Sequence, residues 1–237
     1  MNFEKVKNIK LKNKKHLRNI YLTFDLDWCS DEILSYTLDI LEKYDLKATF
    51  FITHKTKLLN RMRENPKFEL GIHPNFNFLL KGDFRYGKNI DEVIKFYKKI
   101  VPEALSARSH CLTQSSLILE SYEKFGIIFE CNNLIPFSSK VELVPYPHWT
   151  KKLIRIPFFW EDDVHCMYKW SFNVDKFKDY RGIKVFNFHP LHIFLNTKNI
   201  SFYEKNKRNL INNDKIYKYK HKGKGTESFL INLIKIK

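Results

Sequence analysis

The sequence predicts an α/β fold in which a parallel sheet, open or closed into a barrel, is covered by crossover helices. Short apolar runs typical of buried strands alternate along the chain with stretches whose apolar residues recur at helical spacing. In the first, second and last of these runs the apolar residues are consecutive, as expected of strands covered on both faces. At 237 residues the chain is long enough to bury one large core of this kind.

Six apolar runs are predicted to form strands. They lie at residues 20–24, 48–53, 68–72, 127–130, 153–157 and 185–188. Three stretches between or after them, at 31–44, 89–101 and 225–236, have the pattern of amphipathic helices. Ser30 is a suitable cap for the first helix, where Asp31 and Glu32 suit the positive end of the helix dipole. Thr226 is a candidate cap for the last helix.

A single domain is predicted at residues 19–237, preceded by a basic lead-in at residues 1–18. No linker, internal repeat or low-complexity segment divides the chain. Residues 135–182 are less regular and rich in Pro and aromatic residues, which suits a long excursion that carries substrate contacts. A second small subdomain or additional surface loops would give the same pattern.

The formal net charge of +16 would attract nucleic acid, an anionic membrane or a phosphorylated substrate. Lys is far commoner than Arg, however, and no basic block is interleaved with aromatics as in nucleic-acid modules. Lysines spread over solvated faces explain the charge more simply. Four scattered cysteines, and the lack of an apolar stretch of signal-peptide or membrane-spanning length, lead us to expect a cytoplasmic protein.

Polar residues follow nearly every predicted strand at the point where the strand ends. Because catalytic groups collect where the carboxyl ends of parallel strands meet, we expect these side chains to lie together. A lone His or Asp after a strand is more often a surface or capping residue, but six such cases on one side of a sheet favour a site. The residues are Asp25, Asp27, His54, His73, Arg108, His110, Glu161, Asp162, Asp163, His189 and His192.

Metal-assisted hydrolysis is the chemistry that suits this set. Asp27 and His73 form the natural pair of ligands. Asp25 would lie about 7 Å from Asp27 on the same strand face, where it could accept a proton from the attacking water. Arg108 could hold the Asp25 carboxylate ionised and oriented, and His189 could protonate the leaving group from the opposite side.

The sequence resembles the polysaccharide deacetylases, carbohydrate esterase family 4, over residues 20–195. The segments that carry the resemblance, in order, are "LTFDLDW", "KATFFIT", "ELGIHPNF", "ARSH" and "NFHPLHI". Among these enzymes the chain is most similar to a divergent WbmS-like subgroup linked to bacterial surface-polysaccharide synthesis. The resemblance implies a distorted (β/α) barrel, a bound divalent metal that is usually zinc, and removal of N- or O-acyl groups from sugars.

The first motif of that family is Thr-Phe-Asp-Asp-Gly, in which the first Asp is the base and the second a metal ligand. The resemblance therefore implies that Asp25 is the base and Asp27 the ligand. Leu26 is inserted between them and the Gly is missing, so the strand end departs from the family pattern. Trp28, the next residue, is expected to contact the substrate.

The second motif, His-x-x-x-His, supplies two metal ligands one helical turn apart. His73 matches the first of them, but Asn77 stands where the second should be. Asn77 could coordinate through its carbonyl oxygen, His110 or a water could complete the ligand shell, or the metal could be lost. A backbone N–H near His110 is expected to stabilise the oxyanion.

The later motifs imply roles for five further residues. The motif Arg matches Arg108, and Trp160, followed by one of three acids, is expected to line the sugar groove. We assign the acid to Asp162, which would raise the pKa of the general acid His189. His192 is grouped with the expected substrate contacts, where it either supports His189 or is structural.

The expected function is that of a metal-dependent hydrolase removing an acetyl or formyl group from a nucleotide- or lipid-linked sugar used in surface-polysaccharide synthesis. One alternative is a related metal hydrolase acting on a non-sugar C–N bond, since this fold hosts several activities. Another is a non-catalytic, glycan-binding relative with a degraded metal site, which metal content would distinguish. Specific nucleic-acid binding rests on charge alone and is not expected, and the oligomeric state is not predicted.

Overall fold

A computed structural model describes residues 2–12, 14–207 and 216–236. In this part of the chain ten strands form one sheet. The strands are β1 (Asn2–Phe3), β2 (Asn19–Asp25), β3 (Ala48–Ile52), β4 (Phe68–Ile72), β5 (Ser106–Ala107), β6 (Phe129–Glu130), β7 (Tyr146–Pro147), β8 (Ile154–Arg155), β9 (Trp160–Glu161) and β10 (Lys184–Phe188).

The strand order is β7-β8-β6-β5-β4-β3-β2-β10-β9, with β1 paired to β2 outside this path. All of these pairings are parallel except the antiparallel one between β7 and β8. The sheet curls into a half-barrel with flanking helices, so the predicted distorted (β/α) barrel is confirmed. Because the central strands are parallel, their carboxyl ends meet at one rim.

Nine α-helices are present among the described residues. They are α1 (Asp31–Lys43), α2 (Leu59–Glu64), α3 (Asn77–Leu80), α4 (Ile90–Ile100), α5 (Ser116–Lys124), α6 (Asp162–Met167), α7 (Pro190–Leu195), α8 (Ile200–Asn206) and α9 (Thr226–Ile234). The predicted cap of α1 is present, since Ser30 Oγ accepts the N–H of Ile33, and α4 is capped in the same way by Asn89 Oδ1, which accepts the N–H of Glu92. No described helix is both long and apolar enough to cross a membrane.

The start of α9 differs by one residue from the prediction. Gly225, not Thr226, is the capping residue, and its N–H donates to Ser228 Oγ over 2.8 Å. The hydroxyl of Thr226 donates instead to the carbonyl of Thr197 over 3.2 Å, which ties the helix to the chain after α7. The hydroxyl therefore serves a tertiary contact and is not used for capping.

The segment before β2 is packed against the body and is not merely a solvated lead-in. Asn2 and Phe3 pair with Asn19 and Ile20, and Val6 is fully buried. A backbone hydrogen bond from Val6 N–H to Thr49 Oγ1 attaches this segment to β3 as well. Its basic residues therefore flank the amino-terminal edge of the sheet, opposite the rim that carries the polar residues.

Close packing between β3, β4 and β5 fixes the strands that lead into the site. A Cβ atom added at Gly71 would lie 2.5 Å from Ser106 Oγ, 2.6 Å from Ser106 O and 2.9 Å from Phe51 Cδ1. These distances are shorter than any normal contact, and one of the three atoms belongs to the backbone. A side chain at position 71 would therefore push β4 away from its neighbours.

We predict that Gly71→Ala lowers the free energy of unfolding by about 1–3 kcal/mol through this overpacking. Gly82→Ala is the matched control, because Gly82 has a φ of +74° but no atom within 4 Å of the added Cβ. The control should lose only about 1 kcal/mol from backbone strain. Urea unfolding monitored by circular dichroism measures both, and equal losses would contradict the packing argument.

Candidate functional site

Two carboxylates approach each other at the tip of β2, but not by strand alternation as predicted. The strand ends at Asp25, Leu26 turns into the core with no exposed surface, and Asp27 and Trp28 adopt left-handed φ values of 40° and 54°. A turn therefore brings Asp27 back over the strand end. His73, which follows β4, lies between the acids, with Nδ1 3.7 Å from Asp25 Oδ1 and Nε2 3.3 Å from Asp27 Oδ1.

Asp27, His73 and His110 form a compact triad at this rim. His110 follows β5, and its Nδ1 lies 3.3 Å from Asp27 Oδ1, the same oxygen that His73 approaches. The three potential ligand atoms lie within 4.8 Å of one another beside a cavity of about 220 Å³. Although burial raises the pKa of Asp27, the adjacent imidazoles of His110 and His73 hold it well below its usual range.

The donor set of this triad fits a divalent transition metal. One carboxylate oxygen and two imidazole nitrogens are ligands that zinc binds, and a site with three protein ligands keeps a position open for water or substrate. Asp27 Oδ1 is buried, yet no hydrogen bond of good geometry reaches it from the described residues. A buried carboxylate oxygen without a hydrogen bond lowers the stability of the fold unless a cation binds it.

Asn77, the residue in the position of the family's second histidine, points elsewhere. It is the first residue of α3, and its Oδ1 accepts a hydrogen bond from Thr113 Oγ1 over 3.2 Å. It is not among the residues that line the cavity beside Asp27. Of the alternatives that the sequence leaves open, this geometry favours His110 as the third ligand.

The carboxylate of Asp25 is held by two donors from other strands. Arg108 Nη1 lies 3.1 Å from Oδ1, and Asn187 Nδ2 donates to Oδ2 over 2.8 Å. Arg108 is fully buried, and Asn187 Nδ2 also lies 3.0 Å from Glu161 Oε1. The Asp25 carboxylate is therefore fixed in orientation, and it remains in contact with the cavity that the triad borders.

His189, at the end of β10, is oriented by Asp162. The Nδ1 atom of His189 lies 2.6 Å from Asp162 Oδ1, and its backbone N–H donates to Oδ2 over 2.8 Å. Burial lowers the pKa of His189, but the charge and hydrogen bond of Asp162 outweigh it and raise the pKa well above the usual value. The opposite ring nitrogen, Nε2, lies 3.6 Å from Asp27 Oδ2. The ring therefore has its Nδ1 engaged by Asp162 and its Nε2 beside the cavity.

Two other groupings of acids and histidines are less suited to a metal. The first grouping is Asp162, His189 and His192. Both carboxylate oxygens of Asp162 already accept hydrogen bonds, and His192 Nδ1 lies 3.0 Å from Thr197 Oγ1. The second grouping is Asp25, Glu161 and His189. Burial and the nearby Asp163 raise the pKa of Glu161 to about 8. A protonated Glu161 is a poor ligand at neutral pH.

The three predicted substrate contacts fall in different environments. Trp28 is 39% exposed beside His110, with ring centroids 5.0 Å apart. Trp160 is only 1% exposed and stacks on Phe229, so its ring is part of the core and has no free face for a sugar. His192 is also buried, which agrees with the structural alternative for that residue.

Sequence reasoning missed Asn187, and it assigned Asp162 to His189 without a spacing that separates it from its acidic neighbours. Asn187 was visible as a lone polar residue inside the apolar run at 185–188, a position where a side chain needs a buried partner. The three consecutive acids could not be told apart by spacing. The structure separates them, because Asp162 contacts His189 directly while Glu161 contacts Asn187.

A family model for WbmS-like polysaccharide deacetylases matches residues 22–207 of the chain. A search of curated proteins gave no match. Among solved structures, the fold is similar to a Bordetella bronchiseptica protein described as a candidate polysaccharide deacetylase involved in O-antigen biosynthesis, with a TM-score of 0.93 and 36% sequence identity. The similarity covers 98% of this chain and 97% of that one.

More distant structures share the fold alone. A candidate polysaccharide deacetylase from Mycobacterium smegmatis has a TM-score of 0.50 and 13% identity, over 77% of this chain and 79% of that one. A 4-alpha-glucanotransferase from Thermococcus litoralis has a TM-score of 0.51 and 11% identity, over 80% of this chain and 33% of that one. At such identities the matches carry no functional information.

We predict that His110→Ala weakens binding of Zn²⁺ at least about 100-fold, because it removes a direct ligand. Asn77→Ala is the control and should bind Zn²⁺ nearly as the unmodified protein does. Titration calorimetry on metal-free protein measures both affinities. The opposite ranking, with Asn77→Ala impaired and His110→Ala intact, would identify Asn77 as the third ligand.

The buried pair of Trp160 and His165 predicts a pH dependence of stability. Trp160 Nε1 donates to His165 Nδ1 over 2.9 Å, and burial lowers the pKa of His165 to about 4. Between about pH 4 and 6.5 the unfolded chain therefore binds a proton here that the folded chain does not, so this residue's contribution to stability rises with pH. Below about pH 4 that contribution is lost.

His165→Gln keeps an acceptor for the Trp160 indole but cannot titrate. We expect the free energy of unfolding of the unmodified protein to fall about 2 kcal/mol more than that of the variant between pH 7 and pH 4. Urea unfolding at several pH values gives the difference. Parallel pH profiles for the two proteins would mean that His165 is not kept neutral by burial.

Proposed function

The chain belongs to the WbmS-like polysaccharide deacetylase family, and from this premise we propose that it is a metal-dependent hydrolase that removes an N-acyl group from a sugar. The observation that supports this most is the convergence of three different groups on one cavity. A metal-ligand triad, an oriented carboxylate and a protonated imidazole surround a space of about 220 Å³. Together they supply the elements that amide hydrolysis requires.

In this proposal Asp27, His73 and His110 hold a divalent metal, with zinc the best match to their donor atoms. When bound there, the metal supplies Lewis-acid polarisation of the acyl carbonyl and favours deprotonation of water. The three side chains orient one another even without it, since both imidazoles approach the same oxygen of Asp27.

Asp25 is proposed as the general base. Its carboxylate borders the cavity, and Arg108 and Asn187 hold its two oxygens in one orientation. A fixed carboxylate can accept the proton of the attacking water without reorganising. Arg108 and Asn187 are then positioning residues, because they act through Asp25 and are buried behind it.

His189 is proposed as the general acid. The leaving sugar amine must gain a proton when the C–N bond breaks, and His189 lines the cavity with its Nε2 3.6 Å from Asp27 Oδ2. Asp162 keeps the ring oriented and protonated through Nδ1. The pair thus resembles the imidazole–carboxylate arrangement used in many hydrolases, with the carboxylate as a positioning group.

The substrate is proposed to be an activated sugar precursor of a surface polysaccharide, carrying an acetyl or formyl group. The Bordetella relative is described as acting in O-antigen biosynthesis, which supports this class. The basic net charge suits a phosphorylated precursor, and the four free cysteines suit a reducing compartment such as the cytoplasm. Trp28, exposed beside the triad, is the aromatic residue best placed to contact the sugar.

We predict that Asp25→Asn, assayed by release of acetate or formate from a panel of acylated nucleotide sugars, lowers kcat by about 10²–10⁴-fold while metal content is retained. Asp25→Asn is nearly isosteric, so a large loss would reflect chemistry. Asp175→Asn, on the exposed surface outside the cavity, is the control and should keep full turnover. Full turnover by Asp25→Asn would contradict the base assignment, and no release from any panel member by the metal-loaded protein would contradict the function.

A further inference from the structure

A second cavity lies beside the candidate active site, on the other side of Trp28. Its volume is about 550 Å³, within the range of small-molecule sites. It is formed where the loop after β3 meets α4 and the loop that precedes that helix. Its lining includes Trp28, Lys55, Tyr86, Phe96 and Lys99.

One side chain joins this cavity to the triad. Trp28 lines the second cavity, and its ring lies edge-on to that of His110, a member of the triad, at 5.0 Å between centroids. The backbone N–H of Trp28 donates to Thr53 Oγ1, which fixes the tryptophan to the end of β3. A molecule that extended past Trp28 could therefore occupy both cavities.

The wall of the second cavity is aromatic. Tyr86 and Phe96 pack against each other with ring centroids 4.8 Å apart, and Trp28 stands on the triad side. Planar faces of this kind are used in proteins to stack nucleobases. The surface is thus both apolar and suited to a flat ring.

Two lysines give the cavity a positive charge. Lys55 and Lys99 are exposed, and neither forms an ion pair with a described acidic side chain. No Asp or Glu is among the residues that line the cavity. The charge is therefore unbalanced locally, in contrast to Lys124 and Lys47, which pair with carboxylates.

We propose that this cavity binds the nucleoside diphosphate part of a nucleotide-activated sugar, with the acylated sugar reaching past Trp28 to the triad. This inference rests on the proposed function, because it names the substrate class of that site. Lys55 and Lys99 would bind the diphosphate, and the aromatic wall would stack the base. A lipid-linked sugar offers the same diphosphate but no ring to stack, so the aromatic wall favours the nucleotide.

The test is titration calorimetry of UDP, GDP and CDP with the full chain, compared with inorganic pyrophosphate and geranyl diphosphate. We expect at least one nucleotide to bind about tenfold or more tightly than pyrophosphate and geranyl diphosphate. Lys55→Ala, Lys99→Ala and Trp28→Ala should each weaken that binding by about tenfold. Lys57→Ala removes an exposed lysine that does not line the cavity, and it should leave the affinity unchanged.

Several results would overturn the inference. They are no nucleotide binding, equal affinity for pyrophosphate, tighter binding of geranyl diphosphate, and nucleotide binding that none of the three cavity variants weakens. These measurements need no turnover, so a failure of this inference can be told apart from a failure of the proposed function. Acyl release from sugars without nucleotide binding would support the proposed function and contradict nucleotide binding at the second cavity. Nucleotide binding without acyl release from any sugar would support the nucleotide site and contradict the proposed function.

Discussion

The buried guanidinium of Arg108 is the interaction on which the rest of the site depends. It is fully buried between the rings of Phe51 and Phe158, at 4.6 Å and 4.4 Å from their centroids. A buried charge needs a partner, and removing one member of such a pair costs about 3–5 kcal/mol. Its partner Asp25 is on β2 and its neighbour Asn187 is on β10, whereas Arg108 follows β5. One cation thus ties distant strands together across the barrel and places the proposed base.

The strained turn after Asp25 explains how the inserted residue is accommodated. Leu26 is buried in the core, and its carbonyl accepts the N–H of Cys29 over 2.9 Å, which closes a tight turn around Asp27 and Trp28. Left-handed backbone at residues other than Gly costs about 1–2 kcal/mol each. Such strain persists where the surroundings fix it, and it is concentrated at functional sites. Two features hold this turn in its strained conformation. They are the burial of Leu26 in the core and the contacts of Asp27 with His73 and His110.

The long strands of the barrel and the short strands β6 and β8 fall within apolar runs predicted from the sequence, whereas the short strands β5 and β9 do not. The apolar runs at 20–24, 48–53 and 185–188 lie within a residue of β2, β3 and β10, because burial on both faces leaves a continuous signal. Strands β5 and β9 have two residues each, too few for any periodicity, yet they deliver Arg108 and Glu161. Likewise, the choice between His110 and Asn77 as the third ligand depends on how separate loops approach Asp27. The spacing of residues along the chain gives no information about that approach.

Differences in surroundings give the acidic residues of the site different chemistry. Asp25 faces a guanidinium, Asp27 faces imidazoles, and Asp162 faces His189, so each of these carboxylates has a cation or donor opposite it. Glu161 is buried beside the amide of Asn187, and burial together with the nearby Asp163 raises its pKa to about 8, which favours the protonated form at neutral pH. If Glu161 were ionised, it would compete with Asp25 for the Asn187 amide and add repulsion where an oxyanion must form. A buried carboxyl group is thus a proposed base at Asp25, which contacts a buried arginine directly, and a neutral group at Glu161, which does not.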